Sequence, residues 1–169
     1  MYKGKFEWPN GAYIAVVFNM SWEIPPKSLG TAKGHGVSGK ASSSAKYARI
    51  MRPVYETAFA ETGGMQRLLD LWQRYEIRTS TYADGLNVTL FPELARDVGG
   101  KGHGFLVQGW DHEFLNEMTA KEQAEGIARA NKAFETVLGK KASGFSSPGG
   151  HLTPETFSIL VEQGFKYTC

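Results

Sequence analysis

Three side chains in this sequence are suited to proton transfer and polar contact with a ligand: Glu23, Gln108 and His112. Histidine takes and returns protons near neutral pH, so His112 can serve as general base or acid. Asp111 and Glu113 flank it, an arrangement that would raise its basicity or fix its tautomer. Glu23 closes the run Phe18-Asn19-Met20-Ser21-Trp22-Glu23, whose apolar and aromatic setting suits a carboxylate to acid–base work. The amide of Gln108 can bond a substrate carbonyl or N–H, and Gly109 beside it leaves the backbone open. The turn Ser146-Ser147-Pro148-Gly149-Gly150 offers backbone N–H groups to an oxyanion, with His151 directly after it. Ser21 joins the substrate contacts, although no Gly-x-Ser-x-Gly elbow marks it as a nucleophile. Trp22 and Trp110 are expected as stacking walls for a ligand ring. Each residue also has a bland reading: a histidine bonded into a loop, a solvated turn carboxylate, a polar strand end, core aromatics.

These residues need a scaffold, and the hydrophobic pattern describes one. Tyr13-Ile14-Ala15-Val16-Val17-Phe18 is a continuous apolar run rich in β-branched residues, which predicts a strand buried on both faces. Ile77–Ala83 predicts a second strand, with Asp84-Gly85 turning the chain at its end. Phe105–Val107, Phe145 and Phe165–Tyr167 predict three more. Met65, Leu68, Leu69 and Trp72 follow helical spacing between the first two strands, and a short helix begins near Phe91-Pro92. Thr119 with Glu122 forms a capping box opening a helix that carries Ile127, Ala130, Phe134 and Leu138 on one face and stops at Gly139. Thr153-Pro154-Glu155 starts the last helix, which Gly164 ends. Residues 24–45, with Pro25-Pro26 and Ser42-Ser43-Ser44, read as a long loop or lid leaving the first strand.

Strands alternating with helices define an α/β class with a parallel sheet. The chemically suggestive residues all follow strand ends, where such folds gather their sites. His103 precedes its strand and is expected at the opposite end; His35, in the long loop, is expected to be a bystander. A closed eight-fold barrel needs roughly 250 residues. The 169 residues here therefore predict one domain forming the front part of a deformed (β/α) barrel, incomplete at the C-terminus. The open strand edge would invite self-association into a homo-oligomer.

Composition narrows the class further. A net charge of +2 with scattered Lys and Arg carries no nucleic-acid footprint. The single cysteine, Cys169, excludes an intrachain disulfide and a Cys-based zinc site. No run is long enough for a membrane span, and the N-terminus lacks a signal-peptide core, so a cytoplasmic protein is expected.

The ordered blocks Phe18–Glu23, Gly102–Glu113 and Gly144–Gly150 resemble the polysaccharide deacetylase (NodB-homology) superfamily, which includes carbohydrate esterase family 4. The stretch Glu56–Leu69 resembles its allantoinase-like cytoplasmic branch. The resemblance implies a hydrolase for non-peptide C–N amide bonds, acting on an N-acetylated sugar, an oligosaccharide or a ureide. It also shows departures. The family's paired aspartates correspond to Ser21 and Glu23, its His-x-x-x-His motif to Gln108-x-x-x-His112, and its arginine before Pro-Gly to Ser146. Glu23 and His112 are the remaining good metal ligands, and two rarely suffice for zinc. A zinc, cobalt or nickel ion and metal-free chemistry both stay open, as does a non-catalytic descendant that binds the sugar or ureide.

Overall fold

The computed structural model describes residues 7–23 and 59–169. The expected loop at 24–45, His35 and the start of the allantoinase-like stretch lie outside the described residues.

Five parallel strands form one open sheet in sequence order: β1 (Phe18–Trp22), β2 (Thr79–Ala83), β3 (Gly104–Val107), β4 (Gly144–Phe145) and β5 (Tyr167–Thr168). Every neighbouring pair is joined by helix: α1 (Met65–Arg74) before β2, α2 (Gly85–Leu90) and α3 (Pro92–Gly100) before β3, α4 (Ala120–Leu138) before β4, and α5 (Pro154–Glu162) before β5. The α/β class and the parallel arrangement therefore hold, with the sheet left unclosed among the described residues. None of the helices among the described residues is long and apolar enough to cross a membrane.

Local signals explain most of the boundaries. Thr119 and Glu122 form the expected capping box at the start of α4, and Gly139 ends it at φ 72°. A second reciprocal cap, Thr153 with Thr156, opens α5. Pro92 and Pro154 sit in first turns, where the missing N–H costs nothing. On α1 the residues Met65, Leu69 and Trp72 are buried, and α4 buries Ile127, Ala130 and Phe134.

The first strand differs from expectation. Pairing with β2 begins only at Phe18, and the apolar run before it lies in the open, with Tyr13 95% and Val17 69% exposed. Composition marks such a run as strand-like, but burial depends on a neighbour, and β2 offers none before Thr79. The helix α2 was also unforeseen, because Asp84-Gly85 begins it instead of turning the chain away.

Gly85 sets how closely α2 approaches α4. A Cβ there would lie 2.7 Å from the Ala130 Cα and 3.0 Å from the Trp110 ring. Gly→Ala normally favours a helix by about 1 kcal/mol. Here the obstacle is helix backbone that cannot rotate away, so Gly85→Ala is expected to lose about 1–3 kcal/mol in urea unfolding. A neutral or stabilising result would mean the two helices can part freely.

Candidate active site

The register places four dry residues side by side near the C-terminal rim. Trp22 pairs with Ala83, Ala83 with Val107, and Val107 with Phe145, and all four are fully buried. One residue further along each strand comes a polar row: Glu23, Asp84, Gln108 and Ser146. The ladder continues through this step, because Gln108 N–H donates to the Ala83 carbonyl at 3.0 Å and Ser146 N–H to the Val107 carbonyl at 2.9 Å. Within the row, Gln108 Nε2 donates to Glu23 Oε1 at 2.9 Å.

The loop after β3 brings His112 to the row. Gly109 turns at φ 111° and His112 itself takes a left-handed φ of 59°, a conformation that costs a non-glycine residue energy and must be held by its surroundings. Glu113 holds it: its Oε2 accepts from the backbone N–H of Trp110 and of Asp111, both at 2.9 Å. Gly85 N–H and Leu86 N–H donate to the carbonyls of Gly109 and Trp110, each at 2.9 Å, tying this loop to the end of β2.

His112 thus lies between two carboxylates. Its Nε2 is 3.9 Å from Glu23 Oε2, and its Nδ1 is 3.6 Å from Asp84 Oδ2. The side chains of His112 and Glu23 keep 19% and 25% exposure, enough for contact with solvent, whereas Asp84 keeps 1%. Burial pushes the Asp84 carboxyl up to about 7; His112 pulls it down, while Glu23 and Glu113 add to the rise. For His112, burial disfavours the charged ring, but Asp84, Glu23 and Glu113 outweigh it and raise its pKa.

These shifts have a shared sign. An acid raised above its ordinary value of about 3.9 contributes stability that is present at low pH and lost as pH rises through about 7. The raised His112 likewise contributes stability below its ordinary value that is lost above its folded one. His103, lowered by burial and by Arg78 and Lys101, acts in the opposite direction. The Asp84→Asn variant isolates the site: between about pH 5.5 and 8 its unfolding free energy should fall less than that of the parent protein. Equal slopes would remove Asp84 from the titration.

Asp84 was missed by sequence reasoning, which assigned it with Gly85 to a turn. The available signal was positional, since it follows β2 as Glu23 follows β1 and Gln108 follows β3. Asp84 and Glu23, not the flanking Asp111 and Glu113, are the carboxylates that face the two ring nitrogens of His112. Asn87 was missed too; buried on α2, it donates from Nδ2 to the Trp22 carbonyl at 2.6 Å and pins the strand end that carries Glu23.

The other expected residues divide. Trp22 is 0% exposed, with Nε1 donating to Glu61 Oε1 at 2.7 Å, so it is a core pillar and not a stacking wall. Trp110 is partly buried, and the Arg129 guanidinium lies 3.6 Å above its ring centroid, occupying one face. Ser21 is exposed on β1 opposite Tyr82. In the turn after β4, Pro148 is buried while Gly149 and Gly150 are exposed at positive φ. Gly150 N–H donates to Ser147 and His151 N–H to Pro148, so these two, with Ser146 N–H, are engaged elsewhere and are not available to an oxyanion. The His151 ring packs 4.6 Å from Phe114, whose ring is 6.5 Å from His112. His103 lies at the far end as expected, near Trp72 and bonded to Thr79. Cavities of about 520 and 550 Å³ open there, away from the strand C-termini where such sheets bind ligands.

A family model described as polysaccharide deacetylase matches residues 56–168. The chain belongs to the polysaccharide deacetylase family. It is 28% identical over 109 residues to the peptidoglycan deacetylase of Helicobacter pylori, covering 64% of this chain and 37% of that protein. It is 25% identical over 111 residues to a peptidoglycan deacetylase-like protein of Gibberella zeae, covering 64% and 33%. The match thus spans about a third of the curated relatives' length. Among solved structures, a protein assigned as a polysaccharide deacetylase from Mycobacterium smegmatis superposes with TM-score 0.80 at 23% identity, over 96% of this chain and 53% of that one. PuuE allantoinase superposes with TM-score 0.76 at 19% identity, over 96% and 55%. A CE4-family pseudoenzyme from Bacillus anthracis does so with TM-score 0.59 at 14% identity, over 62% and 37%.

Polysaccharide deacetylases of the CE4 type generally use a divalent metal, and the described residues at this site do not fit one. A metal ion takes the lone pair of one ring nitrogen, and the two nitrogens of His112 face different carboxylates, so Glu23 alone shares the Nε2 side. Gln108 turns an N–H donor, not its oxygen, toward that carboxylate. Among the described residues no group of three His, Cys, Asp or Glu side chains is placed to hold a metal ion. A histidine and one carboxylate are fewer ligands than an open zinc site needs.

Proposed function

We propose that this chain hydrolyses a non-peptide C–N amide bond, with an N-acetylated sugar as substrate class and His112 as the proton carrier. The observation that carries the reading is the His112 ring between Glu23 and Asp84 at the rim of the sheet. Water beside Nε2 gives a proton to the ring as its oxygen attacks the acetyl carbonyl. When the C–N bond breaks, the same proton passes from Nε2 to the departing amine, leaving acetate and a free amino sugar. Glu23 steadies the transient imidazolium from 3.9 Å, and Gln108 fixes the Glu23 carboxylate through Oε1. Gln108 Oε1 is buried, without a hydrogen-bond partner among the described residues, so Gln108 acts on the substrate through the Glu23 carboxylate it holds. Trp110, His151 and the Ser146–Gly150 turn line the approach.

The reading is supported by family membership and by the cost of burying Asp84, whose two oxygens find no hydrogen-bond partner among the described residues. A second reading, a non-catalytic sugar- or ureide-binding descendant, is favoured by Ser21 and Gln108 standing where the family carries a carboxylate and an imidazole. Acetate release from N-acetylglucosamine oligomers separates the two. Turnover supports hydrolysis. Saturable binding of the oligomer, or of an allantoin-like ureide, without turnover supports the second reading.

A further inference from the structure

We infer that Asp84 is the positioning residue of this site: it holds His112 in the Nδ1–H tautomer, so that the bare Nε2 faces Glu23 and the attacking water. The inference rests on the proposed role of His112 and adds to it a residue that lies outside the family motif.

The two groups are built to meet. Asp84 ends β2 and His112 lies in the loop after β3, and backbone bonds from Gly85 and Leu86 to Gly109 and Trp110 lock those two segments together. Gly85 permits the approach, since a side chain there would strike Trp110 and Ala130. The left-handed backbone of His112, held by Glu113, keeps the ring in place.

The hydrogen-bond accounting points the same way. Asp84 Oδ1 and Oδ2 and His112 Nδ1 are all buried, and none has a hydrogen-bond partner among the described residues. Oδ2 and Nδ1 are 3.6 Å apart, a few tenths of an ångström beyond a bond. A buried carboxylate and a buried ring nitrogen each gain most by bonding to the other. A neutral imidazole has one N–H, and the partner of one nitrogen decides which. With Nδ1–H given to Asp84, Nε2 is an acceptor. With the proton on Nε2, Asp84 faces a lone pair and the ring cannot take a proton from water. A carboxylate behind a catalytic histidine has this orienting effect on other folds, where the amide replacement selects the wrong tautomer.

The test is the tautomer itself, read by long-range ¹H–¹⁵N correlation on the full chain labelled at histidine, above the titration of the ring. The His112 signals are those missing from His112→Ala. The expected result is Nδ1–H in the parent protein, Nε2–H in Asp84→Asn, and Nδ1–H again in Asp84→Glu. Alongside, kcat in Asp84→Asn should fall by about 10² or more with KM little changed. An Nε2–H ring in the parent, or an Nδ1–H ring that survives Asp84→Asn, would overturn the inference. The parent spectrum decides even if the asparagine variant does not fold. It is recorded without substrate, so a parent protein with the Nδ1–H ring and no turnover would sink the hydrolase reading alone.

Discussion

His112→Ala is expected to lower kcat/KM for acetate release by about 10²- to 10⁴-fold, the range for losing a positioned acid–base group. Its thermal unfolding should move little by comparison. The ring is partly exposed and stands among the two carboxylates and Phe114, so few apolar contacts are lost with it. What disappears is the group proposed to carry the proton from water to amine. Glu23 remains, but its Oε1 is held by Gln108 and its basicity no longer has an imidazole to work through. Turnover within a few-fold of the parent would place the chemistry elsewhere.

Trp22→Ala should act in the opposite way, with a loss of about 3–5 kcal/mol in urea unfolding, as expected for truncating a fully buried large aromatic. Trp22 is 0% exposed, its Nε1 donates to Glu61, and its carbonyl accepts from Asn87. Removing the ring therefore opens a cavity beneath the polar row and leaves the partly buried Glu61 contact unmade. Trp22→Phe keeps most of the volume and should cost clearly less. A stacking wall would behave differently: KM would rise sharply while stability stayed unchanged, and that pattern would return Trp22 to the binding surface.

Much of the scaffold was legible because its signals are local. Thr119–Glu122, Gly139, Pro92 and Pro154 mark helix ends through hydrogen bonds and backbone angles that involve only a few neighbouring residues. The alternation of strand and helix gave the parallel sheet, and the rim rule placed Glu23, Gln108 and His112 near one another. What stayed hidden depends on partners far along the chain. The apolar run Tyr13–Val17 has the composition of a strand, yet β2 pairs only from Phe18 onward. Trp22 looks like any aromatic at a strand end until the register sets it against Ala83 in the dry layer. Asp84 beside a glycine has the signature of a turn. Only the meeting of β2 and β3, with His112 swung back by a left-handed residue, makes it the buried partner of the ring.

On the proposed reading, this family member runs its amide chemistry on His112 and its two carboxylates in place of the family's metal. Acetate release from an N-acetylglucosamine oligomer, measured on protein stripped with excess chelator and checked by elemental mass spectrometry, tests it most directly. Turnover is expected to persist in metal-free protein, and added zinc, cobalt or nickel is expected not to raise it. Turnover that vanishes on stripping and returns with one equivalent of metal would contradict it.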